Sequence, residues 1–147
     1  MKKTVKKVYL AAIAITALAG ASASLADTYS SRALGASAVN FEPTDVYGLT
    51  CPPGTASVRA RGWNPNGSPS DELSIQVINR ATGQARTVIS LEGVTPPTAV
   101  LAGGAGNYLV AVHKSPSTAM RYTIFMDCYT ASSAAIAGVQ SRAVQNQ

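Results

Sequence analysis

Three observations predict that this chain is all-β, an antiparallel β-sandwich of jelly-roll or immunoglobulin-like kind with about seven strands. Apolar residues recur at every second position in several short runs. Clusters of Gly, Pro, Asn and Ser separate those runs, and no segment of the body repeats its apolar residues at convincing helical spacing. Such alternation buries one face of a strand and leaves the other in water, which two packed sheets satisfy. The sandwich is expected over residues 41–130, with flexible N- and C-terminal segments outside it.

The first element lies outside that body. Residues 1–26 begin Met-Lys-Lys-Thr-Val-Lys-Lys, continue with an apolar run from Val8 to about Gly20 and end Ser24-Leu25-Ala26. A cationic start, a short apolar centre and an Ala-x-Ala-like end form a secretory signal peptide, cleaved after Ala26 or after Ala23. The run is too short for a stable helix across a bilayer core of roughly 30 Å, so no membrane insertion is expected. The mature protein is therefore expected to be secreted or periplasmic. Residues 27–40 follow, rich in Ser and Ala without a sustained period, and read as a flexible leading arm.

The body then proceeds strand by strand. Tyr47, Leu49 and Cys51 alternate with Gly48 and Thr50, and Pro52-Pro53-Gly54 turns the chain. Ala56, Val58 and Ala60 alternate with Ser57, Arg59 and Arg61, a half-buried strand whose arginines face water. Trp63 to Pro69 is a breaker cluster, which predicts a loop and places Trp63 in it. Leu73, Ile75 and Val77 form the next inward set. Asn79 to Gln84 turns back with Gly83 at a positive-φ position, and Ala85 to Leu91 returns. A short strand over Thr98 to Leu101 precedes the Gly103-Gly104-Ala105-Gly106 turn. Tyr108, Val110 and Val112 mark a central strand, and Met120, Tyr122, Ile124, Met126 and Cys128 share one face of the last. Residues 131–147 form an Ala/Ser-rich C-terminal tail, whose apolar residues are small and which Gly138 interrupts.

Charge excludes one class of partner. Four of the 12 basic residues (Lys2, Lys3, Lys6 and Lys7) fall in the leader, and the remaining Lys114 and scattered arginines nearly balance 7 acids. No basic stripe remains for nucleic acid or anionic lipid, and neither is expected as a partner. The 2 cysteines, Cys51 and Cys128, lie 77 residues apart, and an even count in an exported chain favours a disulfide. Both fall on the inward phase of their strands, so a bridge within one sheet or across two sheets is possible. Buried thiols or an incomplete metal pair are the competing readings.

The stretch Gly103-Gly104-Ala105-Gly106-Asn107-Tyr108-Leu109-Val110-Ala111-Val112, followed by Arg121-Tyr122-Thr123-Ile124, resembles the end of bacterial pre-peptidase C-terminal domains. Asp71-Glu72-Leu73-Ser74-Ile75 is similar to the Asp-rich strand start of that family. The resemblance covers roughly Ala56 to Tyr129. It implies a jelly-roll-like sandwich used as a secreted accessory or binding module. The cysteine pair departs from the family's usual pattern.

The sequence carries no evident catalytic residue set. His113 is the only histidine, and no Gly-x-Ser-x-Gly elbow accompanies it, so it reads as structural or exposed. His113, Met120 and Met126 could suit copper, but Met126 shares the core phase with Ile124. Asp71 and Glu72 are adjacent and point to opposite faces, while Asp45, Glu92 and Asp127 lie on separate segments. The glycine run lacks the Lys-Ser/Thr of a phosphate loop. No catalytic, cofactor or metal site is therefore expected. Trp63 and Tyr129 remain as candidate contacts for a protein or carbohydrate polymer. The sequence thus reads as an exported non-catalytic β-sandwich that binds a protein or polymer partner at the bacterial cell envelope. The alternative is a self-assembling surface subunit that polymerises through its terminal arm.

Overall fold

A computed structural model of the chain describes residues 27–34, 44–64, 72–91, 95–114 and 119–145. The signal peptide expected over residues 1–26 lies outside the described residues, as do Asp71, Glu92 and residues 65–70 of the predicted loop. Strands β1 (Asp27–Leu34), β2 (Thr44–Cys51), β3 (Ser57–Trp63), β4 (Glu72–Asn79) and β5 (Ala85–Leu91) come first. They are followed by β6 (Ala99–Ala102), β7 (Gly106–Lys114), β8 (Met120–Tyr129) and β9 (Gln140–Gln145). All pair antiparallel, in a four-stranded sheet ordered β1-β8-β3-β6 and a five-stranded sheet ordered β5-β4-β7-β2-β9.

The pairing decides between the two predicted architectures. β1 pairs with β8, β2 with β7, β3 with β6 and β4 with β5, a nested set. That set arises when one long antiparallel ribbon rolls around a core. The wrapping is a jelly roll, and β9 adds to the free side of β2.

The inward phases named from alternation are the ones that meet between the sheets. Tyr47, Leu49, Val58, Ala60, Leu73, Ile75, Val77, Tyr108, Val110, Val112, Tyr122, Ile124 and Met126 are all buried there. Gly83 closes the β4–β5 hairpin at φ 72°, where a side chain would strain the backbone.

Structure and expectation differ at three places. The leading arm is not wholly loose: Asp27–Leu34 is the first strand of the roll and carries Leu34 into the core. A register irregularity between Tyr29 and Arg32 interrupts its inward phase, so no sustained period of two marks it in the sequence. The tail contributes β9, which pairs with β2 although its residues are mostly exposed. Backbone hydrogen bonding recruits this strand without a buried face, so hydropathy carries no sign of it. Trp63 ends β3 and pairs with Thr123, where a loop was predicted. The turn residues of the breaker cluster begin only after it.

β3 faces the opposite sheet with small residues, Ala60 and Gly62. A Cβ on Gly62 would lie 3.0 Å from Ile75 Cδ1 of the opposite sheet and 3.2 Å from the Thr123 carbonyl oxygen. Gly62→Ala is therefore expected to destabilise the protein by about 1–2 kcal/mol, as overpacking outweighs the entropic gain of alanine. A urea midpoint equal to or above that of the parent chain would refute this.

Two ties cross the core between β2 and β8. Cys51 and Cys128 form a disulfide with a Cα–Cα distance of 5.8 Å, so the bridge joins the two sheets. Toward the start of both strands, the buried Tyr122 hydroxyl donates to Asp45 Oδ2. With its proton committed there, Tyr122 accepts from the Tyr47 hydroxyl at 2.5 Å. Burial pushes the Tyr122 hydroxyl well above the ordinary tyrosine range, and the neighbouring Asp45 and Tyr47 push it further. Lys114 is also fully buried, two positions along β7 from Val112, the cross-strand partner of Asp45. That makes Lys114 a diagonal neighbour of Asp45 on the inward face.

Candidate functional site

The outward face of the four-stranded sheet carries Trp63, Phe125, Tyr129, Arg59 and Arg61 in one row. On β3 the phase opposite to Val58, Ala60 and Gly62 contains Ser57, Arg59, Arg61 and Trp63. On β8 the corresponding phase contains Thr123, Phe125, Asp127 and Tyr129. Antiparallel register sets Trp63 opposite Thr123, Arg61 opposite Phe125, Arg59 opposite Asp127 and Ser57 opposite Tyr129. The long side chains therefore reach diagonally and interleave.

The contacts form a ladder. Trp63 stacks on Phe125 with ring centroids 5.3 Å apart and planes 10° from parallel. Arg61 lies with Cζ 5.2 Å from the Phe125 centroid, and Arg59 with Cζ 4.3 Å over the Tyr129 ring. Each guanidinium over a ring gains cation–π attraction while its edge keeps donors for other groups. Arg59 is further held by a 2.8 Å hydrogen bond from Nη2 to Ser133 Oγ. Ser133 stands at φ 62°, in the left-handed region, within the turn that leads from β8 toward β9. Arg59 Nε is buried and makes no hydrogen bond among the described residues, so stacking on Tyr129 is a main restraint on this side chain.

A depression of about 300 Å³ lies along the ladder, lined among others by Arg59, Arg61, Val100, Phe125, Asp127 and Tyr129. Asp127 is among the lining residues, 2 % exposed although it belongs to the outward phase, and one of its oxygens accepts the Cys128 amide at 2.8 Å. Val100 on β6 is 46 % exposed and forms an apolar border. The site thus presents flat rings and two guanidinium groups above a buried carboxylate.

A second depression of about 520 Å³ lies on the outward face of the five-stranded sheet, over Val46, Gly48, Leu109, Arg142 and Val144. It is larger, but among the described residues no pair of aromatic rings is stacked across it. Gly48 leaves the space into which the Val144 and Arg142 side chains lean.

The two contact residues named from sequence, Trp63 and Tyr129, occupy the two ends of the same ladder. Phe125, Arg59 and Arg61, which join them, were not singled out. Their signal was the outward phase of two strands, but nothing local says that β3 and β8 are neighbours. Other candidates are kept apart. His113 lies on the outward side of β7 beside Thr44 Oγ1 at 3.4 Å, whereas Met120 and Met126 are in the core. Asp45 is between the sheets, Asp127 is on the outward side of β8, and Glu72 is exposed at the start of β4. Among the described residues, no three His, Cys, Asp or Glu side chains are grouped to hold a metal ion. Likewise no described helix is long and apolar enough to cross a membrane. Comparison with known proteins returned no matching family model, no matching curated protein and no matching solved structure.

Proposed function

We propose that this chain is an exported, non-catalytic binding module that holds a protein or carbohydrate polymer at the cell envelope through the outward face of its four-stranded sheet. The observation that carries the reading is the Trp63–Phe125 stack continued by Arg61, Arg59 and Tyr129. Aromatic rings cover the apolar faces of sugars or side chains at small entropic cost, and arginine edges supply directed donors. The row runs along two adjacent strands, which fits an extended ligand. A disulfide between the sheets and an all-β body are compatible with export. The resemblance to pre-peptidase C-terminal domains points to the same kind of accessory role. The competing reading, polymerisation through the leading arm, requires β1 to leave β8 of its own chain and pair with β8 of another.

Trp63 is the only tryptophan of the chain, so its fluorescence reports on this face alone. Titration with envelope polysaccharide, and separately with extracted envelope proteins, is expected to shift the Trp63 emission in one of the two series. Replacing Arg59 or Tyr129 by alanine is expected to weaken that binding by about tenfold, the scale of losing one arginine or tyrosine anchor. Binding that leaves Trp63 emission unchanged and survives both substitutions would place the contact elsewhere. Light scattering of the mature protein showing polymers that vanish when residues 27–34 are deleted would favour the competing reading.

A further inference from the structure

A sandwich has four edge strands, and three of the four here are blunted. β1 carries a register irregularity between Tyr29 and Arg32. β6 is 4 residues long. β9 meets β2 with a register irregularity at Val46/Tyr47. Short strands and bulges are the usual devices against edge-to-edge pairing. β5 has neither. It runs 7 residues, Ala-Arg-Thr-Val-Ile-Ser-Leu, in unbroken register with β4, with no proline and no lysine. Ile89 and Leu91 on it are 55 % and 45 % exposed.

Among the described residues, the hydrogen-bonding groups that this edge leaves without a strand partner follow from the hairpin. The Asn79 amide donates to the Gln84 carbonyl at 2.8 Å, which makes that a hydrogen-bonded pair. Alternation then turns the amides and carbonyls of Arg86, Val88 and Ser90 toward β4, and those of Ala85, Thr87, Ile89 and Leu91 away from it. We infer that this outward edge pairs antiparallel with β5 of a second copy about a two-fold axis at Val88, joining two five-stranded sheets into one.

The strand is self-complementary in that register. Thr87 then faces Ile89 of the second copy and Ala85 faces Leu91, and both pairs use the free backbone groups on each side. Val88 faces Val88 as a non-hydrogen-bonded pair. Arg86 faces Ser90, so no like charges are opposed. The two Ile89 side chains become diagonal neighbours on the outward face and cover each other. A head-to-tail contact between β5 and β9 would instead build an open filament and would have to use the blunted β9 edge.

The test is made on the full exported chain. Light scattering over a concentration series is expected to show a monomer–dimer equilibrium, with a dissociation constant on the order of 10–100 μM for so small a contact. Ile89→Lys sets two cations close across the axis and is expected to weaken the dimer by about tenfold or more, with an unchanged circular dichroism spectrum. Val88→Cys is expected to give a covalent dimer on mild oxidation, because a non-hydrogen-bonded pair brings the Cα atoms to about 4.5 Å. Ala85→Cys, whose counterpart is Leu91, is expected to stay monomeric under the same treatment. A parent chain that remains monomeric at about 1 mM would overturn the inference. So would a dimer that survives Ile89→Lys, or Ala85→Cys cross-linking as readily as Val88→Cys.

Discussion

Replacing Cys51 and Cys128 together by alanine is expected to lower the unfolding free energy by about 4 kcal/mol. The bridge closes 77 residues, so its removal returns a large loop-closure entropy to the unfolded chain. The loss falls mainly on the unfolded state, because both cysteines sit at the ends of well-packed inward faces and their replacement leaves small voids. The fold is expected to survive: Asp45, Tyr47 and Tyr122 still tie β2 to β8 toward the other end of the two strands. Urea titration of the parent and the double variant measures the difference. The slope with denaturant is expected to rise as well, since an uncrosslinked chain exposes more surface on unfolding. A loss below about 1 kcal/mol with an unchanged slope would mean that the staple constrains little.

The second large effect concerns the hydroxyl of Tyr122. Tyr122→Phe removes the proton that the buried Asp45 oxygen accepts and the acceptor that the Tyr47 hydroxyl uses. Leaving buried polar groups short of partners is expected to cost about 2–3 kcal/mol near neutral pH. The same hydroxyl gives the parent protein an alkaline weakness. Its folded pKa is raised by burial and by its neighbours, so the folded state keeps the proton that the unfolded state releases above about pH 10. Stability from this group is complete below that pH and falls by about 1.4 kcal/mol for each further pH unit. Tyr108, whose hydroxyl is also raised by burial and donates to the Gly104 carbonyl at 2.7 Å, adds a decline of the same sign. The phenylalanine variant should therefore lose stability less steeply with pH than the parent chain. Parallel curves above pH 10 for the two proteins would remove Tyr122 from this account.

Both effects act on the contact between β2 and β8, and neither strand's sequence names the other. What could be read locally was the inward phase. The alternation of Tyr47, Leu49 and Cys51 and of Met120, Tyr122, Ile124, Met126 and Cys128 placed both sulfurs in the core before any topology was known. The same rule identified the outward residues of β3, yet it assigned Trp63 to a loop because the breaker residues begin directly after it. In the sequence Phe125 is an isolated aromatic on an outward phase, and it acquires significance only from the ring that stacks on it. Asp127 belongs to the outward phase of β8 and is nonetheless only 2 % exposed, which alternation does not reveal.

The sequence by itself determined the strand character of the body, the side of each central strand that enters the core and the inward direction of both cysteines. These are period-two properties, carried by neighbouring residues along the chain. Only the tertiary structure decided that the roll is nested from β1 with β8 to β4 with β5, that the bridge crosses between sheets, and that an arm and a tail supply strands. It also brought Trp63 and Tyr129 onto one ladder and left β5 as the unblunted edge. Those outcomes depend on which strand lies beside which, and that choice is made by backbone pairing between distant segments, to which local hydropathy is blind.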